Sequence, residues 1–262
     1  MRPSAYLIII VILVLGLGFS IAGNLFLFKK AYEYHAREAA VRITPISSRF
    51  QQSNQALLAA AKTKTRLIIL GESRCAMWEP YHPTNWGDLE IVNRGIGGET
   101  TPQILGRLQE DCLDLDPDIV LLQMGDNDLK TIAVLPGTQE STFEQTYQNI
   151  TGMAIRLSDQ GVQVALTTIF PPAPIELLRK PLWSDEVNQA IDDMNQRLLA
   201  FEYPRVTVLD CDSILRDGKY IAAEYSLDTL HLSEAGYRAL NKGLETAMGQ
   251  IVAAASKPEP FH

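Results

Sequence analysis

The sequence predicts an α/β protein: a five-stranded parallel sheet with helices on both faces, placed behind an N-terminal apolar helix. Three observations carry this expectation. Short runs rich in Val, Ile and Leu recur at residues 67–70, 89–92, 119–124, 162–170 and 206–209. They lack the strict polar–apolar alternation of half-buried strands, which fits strands covered on both faces. Amphipathic helical patterns separate them, and regular strand–helix alternation implies a parallel sheet.

The apolar N-terminal segment comes first. Residues 5–28 contain only Ser20 and Asn24 as clearly polar side chains. At 1.5 Å per residue this run reaches about 36 Å, enough to cross a hydrocarbon core of about 30 Å. The expectation is a single-pass anchor over residues 1–28. Its rival is a cleaved secretion signal, with Arg2 as the basic start and Ser20-Ile21-Ala22 as a small-residue cleavage site. Apolar residues continue past that site to Phe28, which favours the anchor. Lys29, Lys30, Arg37 and Arg42 follow the span, and by the positive-inside rule they favour a cytoplasmic domain. Large domains translocate largely regardless of such charges, and an anchor with everything behind it is the usual layout of exported domains. The expected location of the domain is therefore extracytoplasmic.

Residues 29–65 read as a helical stalk packed on the domain. Strong helix formers run over 31–43, Pro45 interrupts, and a second helical stretch lies near 48–61. Residues 66–256 form the domain, and 257–262 a disordered tail. Thr101-Pro102 predicts a helix start, with Ile104, Leu108 and Cys112 on one face. Ser141 and Glu144 form a capping box ahead of Phe143, Tyr147, Ile150 and Leu157, and Gly161 ends that helix. Ser184 caps the next, with Val187, Ile191, Met194 and Leu198 inward. Ser233 caps the last, with Tyr237, Leu240, Leu244 and Met248 inward.

Composition narrows the function classes. A chain of 262 residues suits one domain plus appendages, and a net charge of −8 argues against a nucleic-acid-binding surface. Cys75, Cys112 and Cys211 are too few for a disulfide framework and lack metal-ligand spacing, so they read as buried small hydrophobes. One internal disulfide is the alternative for an exported domain.

Ligands of parallel α/β sheets bind at the carboxyl ends of the strands. Four polar loops follow predicted strands: Gly71-Glu72-Ser73-Arg74, the Gly-rich stretch from Asn93 to Thr101, Gly125-Asp126-Asn127-Asp128, and Asp228-Thr229-Leu230-His231. A serine needs a base, most often histidine, to become a nucleophile. Of the four histidines, His262 is terminal, His35 lies in the stalk and His82 in a Pro-flanked loop. Only His231 sits at a strand end beside a carboxylate, Asp228, which can fix its tautomer. An acyl-transfer site also needs oxyanion donors. Candidates are the N–H of Ser73 at a helix start, an N–H of the Gly95–Gly98 turn, and the side-chain amide of Asn127.

These four blocks, in this order, resemble the SGNH/GDSL hydrolase superfamily, whose GDSL-like esterases and lipases carry Gly-Asp-Ser, a Gly block, Gly-x-Asn-Asp and a terminal Asp-x-x-His. The resemblance covers about residues 66–250. It implies a flavodoxin-like three-layer α/β/α sandwich and an esterase, lipase, thioesterase or carbohydrate esterase. It implies a Ser73–Asp228–His231 triad, with Gly98 at the oxyanion position beside Ser73 and Asn127, and neither metal nor organic cofactor. Its substrate would be a small-molecule or envelope-associated acyl ester. Glu72 departs from the usual Asp. An O-acyltransferase on the same site and an inactive membrane-tethered binding module are the alternatives. A nucleotide-binding reading fails because Thr101 and Pro102 stand where the dinucleotide pattern needs glycine, and the P-loop pattern is absent. A metal-dependent hydrolase lacks a zinc-type His pair.

Trp78, Tyr81, Trp86 and Trp183 fall in or near loops and either rim the site or pack against helices. Residues 171–183 read as a Pro-rich flap over the crevice. Arg74 beside the serine either binds an anionic substrate group or faces solvent.

Overall fold

The computed structural model describes residues 3–41, 49–177 and 179–256. Elements follow in chain order as helix α1 (Pro3–Val41), α2 (Gln51–Ala59), strand β1 (Thr65–Gly71), α3 (Ser73–Ala76), β2 (Leu89–Gly95), α4 (Thr101–Gly106) and α5 (Leu108–Asp111). Then come β3 (Ile119–Gln123), α6 (Asp126–Leu129), α7 (Gln139–Asp159), β4 (Gln163–Thr167), α8 (Asp185–Leu199) and β5 (Val206–Leu209). The chain closes with α9 (Cys211–Leu215), a hairpin of β6 (Arg216–Asp217) and β7 (Tyr220–Ile221), α10 (Glu234–Gly243) and α11 (Glu245–Ala255).

Each predicted buried run becomes a strand, and the five form one parallel sheet in the order β2-β1-β3-β4-β5. This is the flavodoxin-like doubly wound order. Gly71 pairs with both Gly95 and Gln123, so β1, β2 and β3 end level and their loops emerge side by side.

Alternation along the strands sorts side chains into two cores. Ile68, Leu70, Val120, Leu122, Val164 and Leu166 face the α4–α5, α7 and α8 layer. Leu67, Ile69, Ile119, Leu121, Ala165 and Leu209 face α3, α10 and α11. The result is the expected three-layer sandwich. All three cysteines are buried and unpaired, so the disulfide alternative does not hold.

Several boundaries shift for local reasons. Helix α4 is capped by Thr100 rather than Thr101, because the N–H and hydroxyl of Thr101 are both taken by Asp128. The Thr100 N–H instead donates to Gln103 Oε1 at 2.8 Å. Helix α7 starts two residues ahead of Ser141, whose hydroxyl donates to the Thr138 carbonyl within the first turn. Gly161 ends α7 as expected, with φ of +86°. The C-terminal helix divides at Leu244 into α10 and α11.

Helix α1 is 39 residues long and has a stretch, Tyr6–Ala39, long and apolar enough to cross a membrane. It runs unbroken through residue 28, so the apolar segment and the first part of the stalk are one helix. Its end docks on the domain. Ala36 and Ala39 are buried, Ala36 packs with Val134 and Leu135, and the Thr100 hydroxyl donates to the Ala39 carbonyl at 2.9 Å. Pro45 and the tail 257–262 lie outside the described residues. Helix α2 also docks: Asn54 donates to Asp111 Oδ1 at 2.8 Å and accepts from Arg94 Nε at 3.0 Å.

Candidate active site

Ser73 opens α3 directly after β1. A short helix can lie this close to the sheet because Gly95 has no side chain: a Cβ there would stand 2.1 Å from the Ala76 nitrogen. Asn93 locks the approach, donating to the Cys75 carbonyl at 2.6 Å while accepting from the Gly95 N–H at 2.8 Å. The Ser73 N–H falls in the first turn, where helical geometry supplies no partner.

The loop before α10 brings His231 to the serine from 158 residues away. His231 Nε2 lies 3.2 Å from Ser73 Oγ, and its Nδ1 lies 2.8 Å from Asp228 Oδ2. Asp228 Oδ1 accepts from the N–H groups of Leu230 (2.7 Å) and His231 (3.0 Å), so the loop wraps around its own carboxylate. Partial burial works against the charge on Asp228. The hydrogen bonds from the His231 ring and the two backbone N–H groups outweigh it and hold its pKa at about 2. A hydroxyl, an imidazole and an ionised carboxylate in line form the relay that can activate a serine.

The other predicted donors gather at the same place. Gly97 lies against Ser73, within 3.7 Å of its Cβ when given a Cβ of its own, and Gly98 takes φ of +82°, a conformation suited to glycine. Asn127, in α6, donates to the Glu99 carbonyl at 2.9 Å and also to Glu72 Oε2. Its side-chain oxygen accepts from Lys130. Both amide hydrogens of Asn127 are thus engaged within the protein.

Sequence reasoning missed a set of buried charges behind the serine. Arg74 neither binds at the surface nor faces solvent; it is 1% exposed. Its Nε donates to the Leu230 carbonyl (2.7 Å) and its Nη1 to the Phe170 carbonyl (2.9 Å). Arg107 is fully buried, donating to Glu99 Oε2 (2.7 Å) and to the Gly71 carbonyl (3.0 Å). Its position between Ile104 and Leu108, inside an apolar helical stripe, was the available signal. Burial, reinforced by Asp126 and partly offset by Arg74 and Lys130, pushes the Glu72 carboxyl up to about 8.

The loop aromatics are packing residues. Trp78 and Trp86 are buried and meet edge-on, and Tyr81 stacks on Tyr237. Trp183 is half-buried and donates to Asn188. The 171–183 segment lies beside the His231 loop: Ala173 N–H donates to the Thr229 carbonyl at 2.9 Å, and Arg179 stands 3.9 Å from Asp228 Oδ2. Among the described residues, no group of three or more His, Cys, Asp or Glu is placed to hold a metal ion.

A doubly wound α/β/α sandwich with a serine, histidine and aspartate in line at its carboxyl end is the layout of an SGNH-type hydrolase. The sequence model of the GDSL-like lipase/acylhydrolase family matches residues 70–239, and the chain belongs to that family. It is 26% identical over 216 residues to the platelet-activating factor acetylhydrolase IB subunit alpha1 of Rattus norvegicus, covering 78% of this chain and 84% of the relative. It is 26% identical over 128 residues to an arylesterase of Vibrio mimicus, 44% of this chain and 60% of the relative. In fold it is similar to a GDSL-like lipase from Bacteroides thetaiotaomicron, with TM-score 0.62 and 22% identity over 78% of this chain and 97% of that one. An acetylxylan esterase from Geobacillus stearothermophilus, solved as a catalytic mutant, has TM-score 0.50 and 17% identity over 72% and 96%.

The raised Glu72 carboxyl predicts a pH dependence of stability. In the unfolded chain this group ionises near its ordinary value of 4.5, while the folded protein holds the proton up to about pH 8. Its contribution is therefore complete at low pH and is lost as pH rises through that window. Burial raises Asp128 in the same sense, but only to about 6. Between pH 6 and 8 the thermal midpoint of the wild type should fall more steeply than that of Glu72→Gln. Parallel curves by near-ultraviolet circular dichroism would contradict this.

Proposed function

We propose that the protein is a serine ester hydrolase in which Ser73 is the nucleophile, His231 the general base and Asp228 the orienting carboxylate. The observation that carries this reading is the unbroken hydrogen-bond chain from Ser73 Oγ through His231 to Asp228, at 3.2 and 2.8 Å. In the first step Ser73 Oγ attacks the ester carbonyl carbon and its proton passes to His231 Nε2. The imidazolium then protonates the leaving alkoxide, and an acyl-enzyme on Ser73 is left. Water, deprotonated by His231, attacks that ester and releases the acid, and Ser73 recovers its proton. Asp228 stays ionised throughout, as its lowered pKa allows.

The developing oxyanion is held by the N–H groups of Ser73 and Gly98 and by the Asn127 amide. Asn127 must release Glu72 to take up this role. With its carboxyl raised to about 8, Glu72 is chiefly neutral near pH 7, so the bond it gives up is not to a full carboxylate. The curated relatives are named as a platelet-activating factor acetylhydrolase subunit and an arylesterase, which supports an acyl ester as the substrate class. Helix α1 is read as an uncleaved anchor, because the apolar span leads straight into the docked residues Ala36 and Ala39. The domain belongs to the extracytoplasmic side in this reading, since large domains cross membranes largely regardless of the charges that flank the span.

Labelling with a fluorophosphonate, read by peptide mass spectrometry, should place the probe on Ser73 in the wild type. It should be lost in Ser73→Ala and nearly lost in His231→Ala; an unchanged label in either folded variant would sink the assignment. Asn127→Ala should lower kcat by about 10²–10³ with little change in KM, the usual loss for one oxyanion donor. Turnover equal to wild type would remove Asn127 from the site. Protease added to the outer side of the sealed membrane that holds α1 should digest the domain, whereas protection that ends when detergent opens that membrane would place it on the cytoplasmic side.

A further inference from the structure

Two leucines on the rim of the site are largely exposed. Leu177 is 78% exposed and Leu227 is 62% exposed, the highest values for large apolar side chains outside α1 among the described residues. Single exposed leucines are ordinary. These two are set apart by their place, since they flank the loop that carries His231. The Leu227 N–H donates to the His231 carbonyl at 2.8 Å, and Asp228 follows directly. Leu177 is preceded by Glu176, whose N–H donates to Thr229 Oγ1 at 3.3 Å. Arg179, two residues on, reaches toward Asp228.

The attachment of α1 is a separate observation that points to the same end of the molecule. Its docked segment meets Thr100 in the loop after β2 and Val134 and Leu135 in the segment after β3; Leu182, after β4, packs in the same cluster. All these loops lie at the carboxyl ends of the strands, where Ser73 lies. From Phe28, where the apolar run ends, to the buried Ala36 the helix climbs only about 12 Å. The carboxyl end of the sheet is therefore the end nearest the membrane that α1 enters. The charge of the chain is −8, so general attraction to anionic lipid does not account for a contact there. A local apolar contact does, with the exposed Lys180 near Leu177 to meet phosphate groups, while Arg179 is paired with Glu176 at 3.3 Å.

We propose that this rim lies against the bilayer that holds α1, with Leu177 and Leu227 entering its interface, so that the acyl ester reaches Ser73 from the membrane. The proposal rests on α1 being retained as an anchor, and its substrate route also on Ser73 being the nucleophile. It commits the site to membrane-resident acyl esters over freely soluble ones.

The full chain would be reconstituted in vesicles of phosphatidylethanolamine and phosphatidylglycerol, with Leu177→Cys, Leu227→Cys or Leu199→Cys carrying a nitrobenzoxadiazole label. Cys75, Cys112 and Cys211 are fully buried, so the label goes to the introduced thiol. Leu199 ends α8 at the opposite end of the sheet and serves as the aqueous reference. Labels at 177 and 227 should brighten, shift to the blue and resist iodide quenching, while the label at 199 stays quenchable. Equal quenching at all three positions overturns the docking, and so does failure of the chain to float with vesicles. The double variant Leu177→Asp/Leu227→Asp should lose several-fold activity on a vesicle-borne phospholipid ester and keep wild-type activity on p-nitrophenyl acetate. Loss on both esters, or on neither, overturns the membrane route. A wild type inactive on both overturns the Ser73 reading and the route with it, while the fluorescence still decides the docking.

Discussion

The geometry of the site depends on one buried guanidinium. The groups that must meet come from distant parts of the chain, and Arg74, next to Ser73, ties two of those parts together. Its Nε holds the carbonyl of Leu230, the neighbour of His231, and its Nη1 holds the carbonyl of Phe170, where the 171–183 segment begins. The Phe170 ring lies 5.4 Å from the guanidinium carbon, and the carbonyl of Arg74 itself accepts from the Tyr237 hydroxyl of α10. Burying a charge is costly unless hydrogen bonds satisfy it. Here the nearest carboxylate, Asp126, stands 3.6 Å away, so most of the satisfaction comes from backbone carbonyls. A planar fork with fixed donor directions can fix two carbonyls at once, and an ammonium on a flexible stem would not do so equally well. The residue next to Ser73 therefore holds the His231 loop in place through the Leu230 carbonyl, and with it the Ser73–His231 distance.

A second polar web fixes the opposite wall. Arg107 joins Glu99 to the Gly71 carbonyl, tying the Gly-rich turn to the end of β1. It also lies 3.5 Å from Asp111, which binds Asn54 of α2, and Asn54 in turn accepts from Arg94. Asn127 closes the web by bridging Glu72 and the Glu99 carbonyl. Low dielectric strengthens each of these bonds and raises the cost of leaving any member unpaired. Glu72 shows the effect: crowded by Asp126 and cut off from water, it keeps its proton. An acid longer by one methylene than the family's usual Asp thus reaches Asn127 from the position before the serine.

Much of the architecture was legible because it is written in local patterns. Continuous Val, Ile and Leu runs found the strands, since β1, β3 and β4 are buried on both faces, while the edge strands β2 and β5 are only partly buried. Asp228 and His231 were legible because three residues of separation let a loop wrap around its own carboxylate. Contacts made only in the folded state were not. Nothing in Gly71-Glu72-Ser73-Arg74 says that Arg74 turns inward, because its partners are carbonyls about 100 or more residues away. Asn127 was singled out as an amide donor, but the acceptors it meets, Glu72 and the Glu99 carbonyl, depend on distant segments folding around it. The cap at Thr100 was misplaced by one residue for the same reason: Asp128, far along the chain, claims Thr101. The small β6–β7 hairpin is too short to leave a period of its own.

The way α1 ends links the tether to the chemistry. The last carbonyls of a helix lack intrahelical donors and must find others. Near the end of α1 one of them, that of Ala39, is met by the Thr100 hydroxyl. Thr100 also caps α4 and stands two residues from Gly98, so the turn that carries an oxyanion candidate is braced on one side by the tether and on the other by Gln103. Ala36 adds an apolar contact with Val134 and Leu135 in the segment that follows α6, the helix of Asn127. Removing α1 would therefore do more than take away an apolar helix. It would expose that apolar patch, take away the Thr100 acceptor and loosen the turn from outside, so α1 belongs to the architecture of the site.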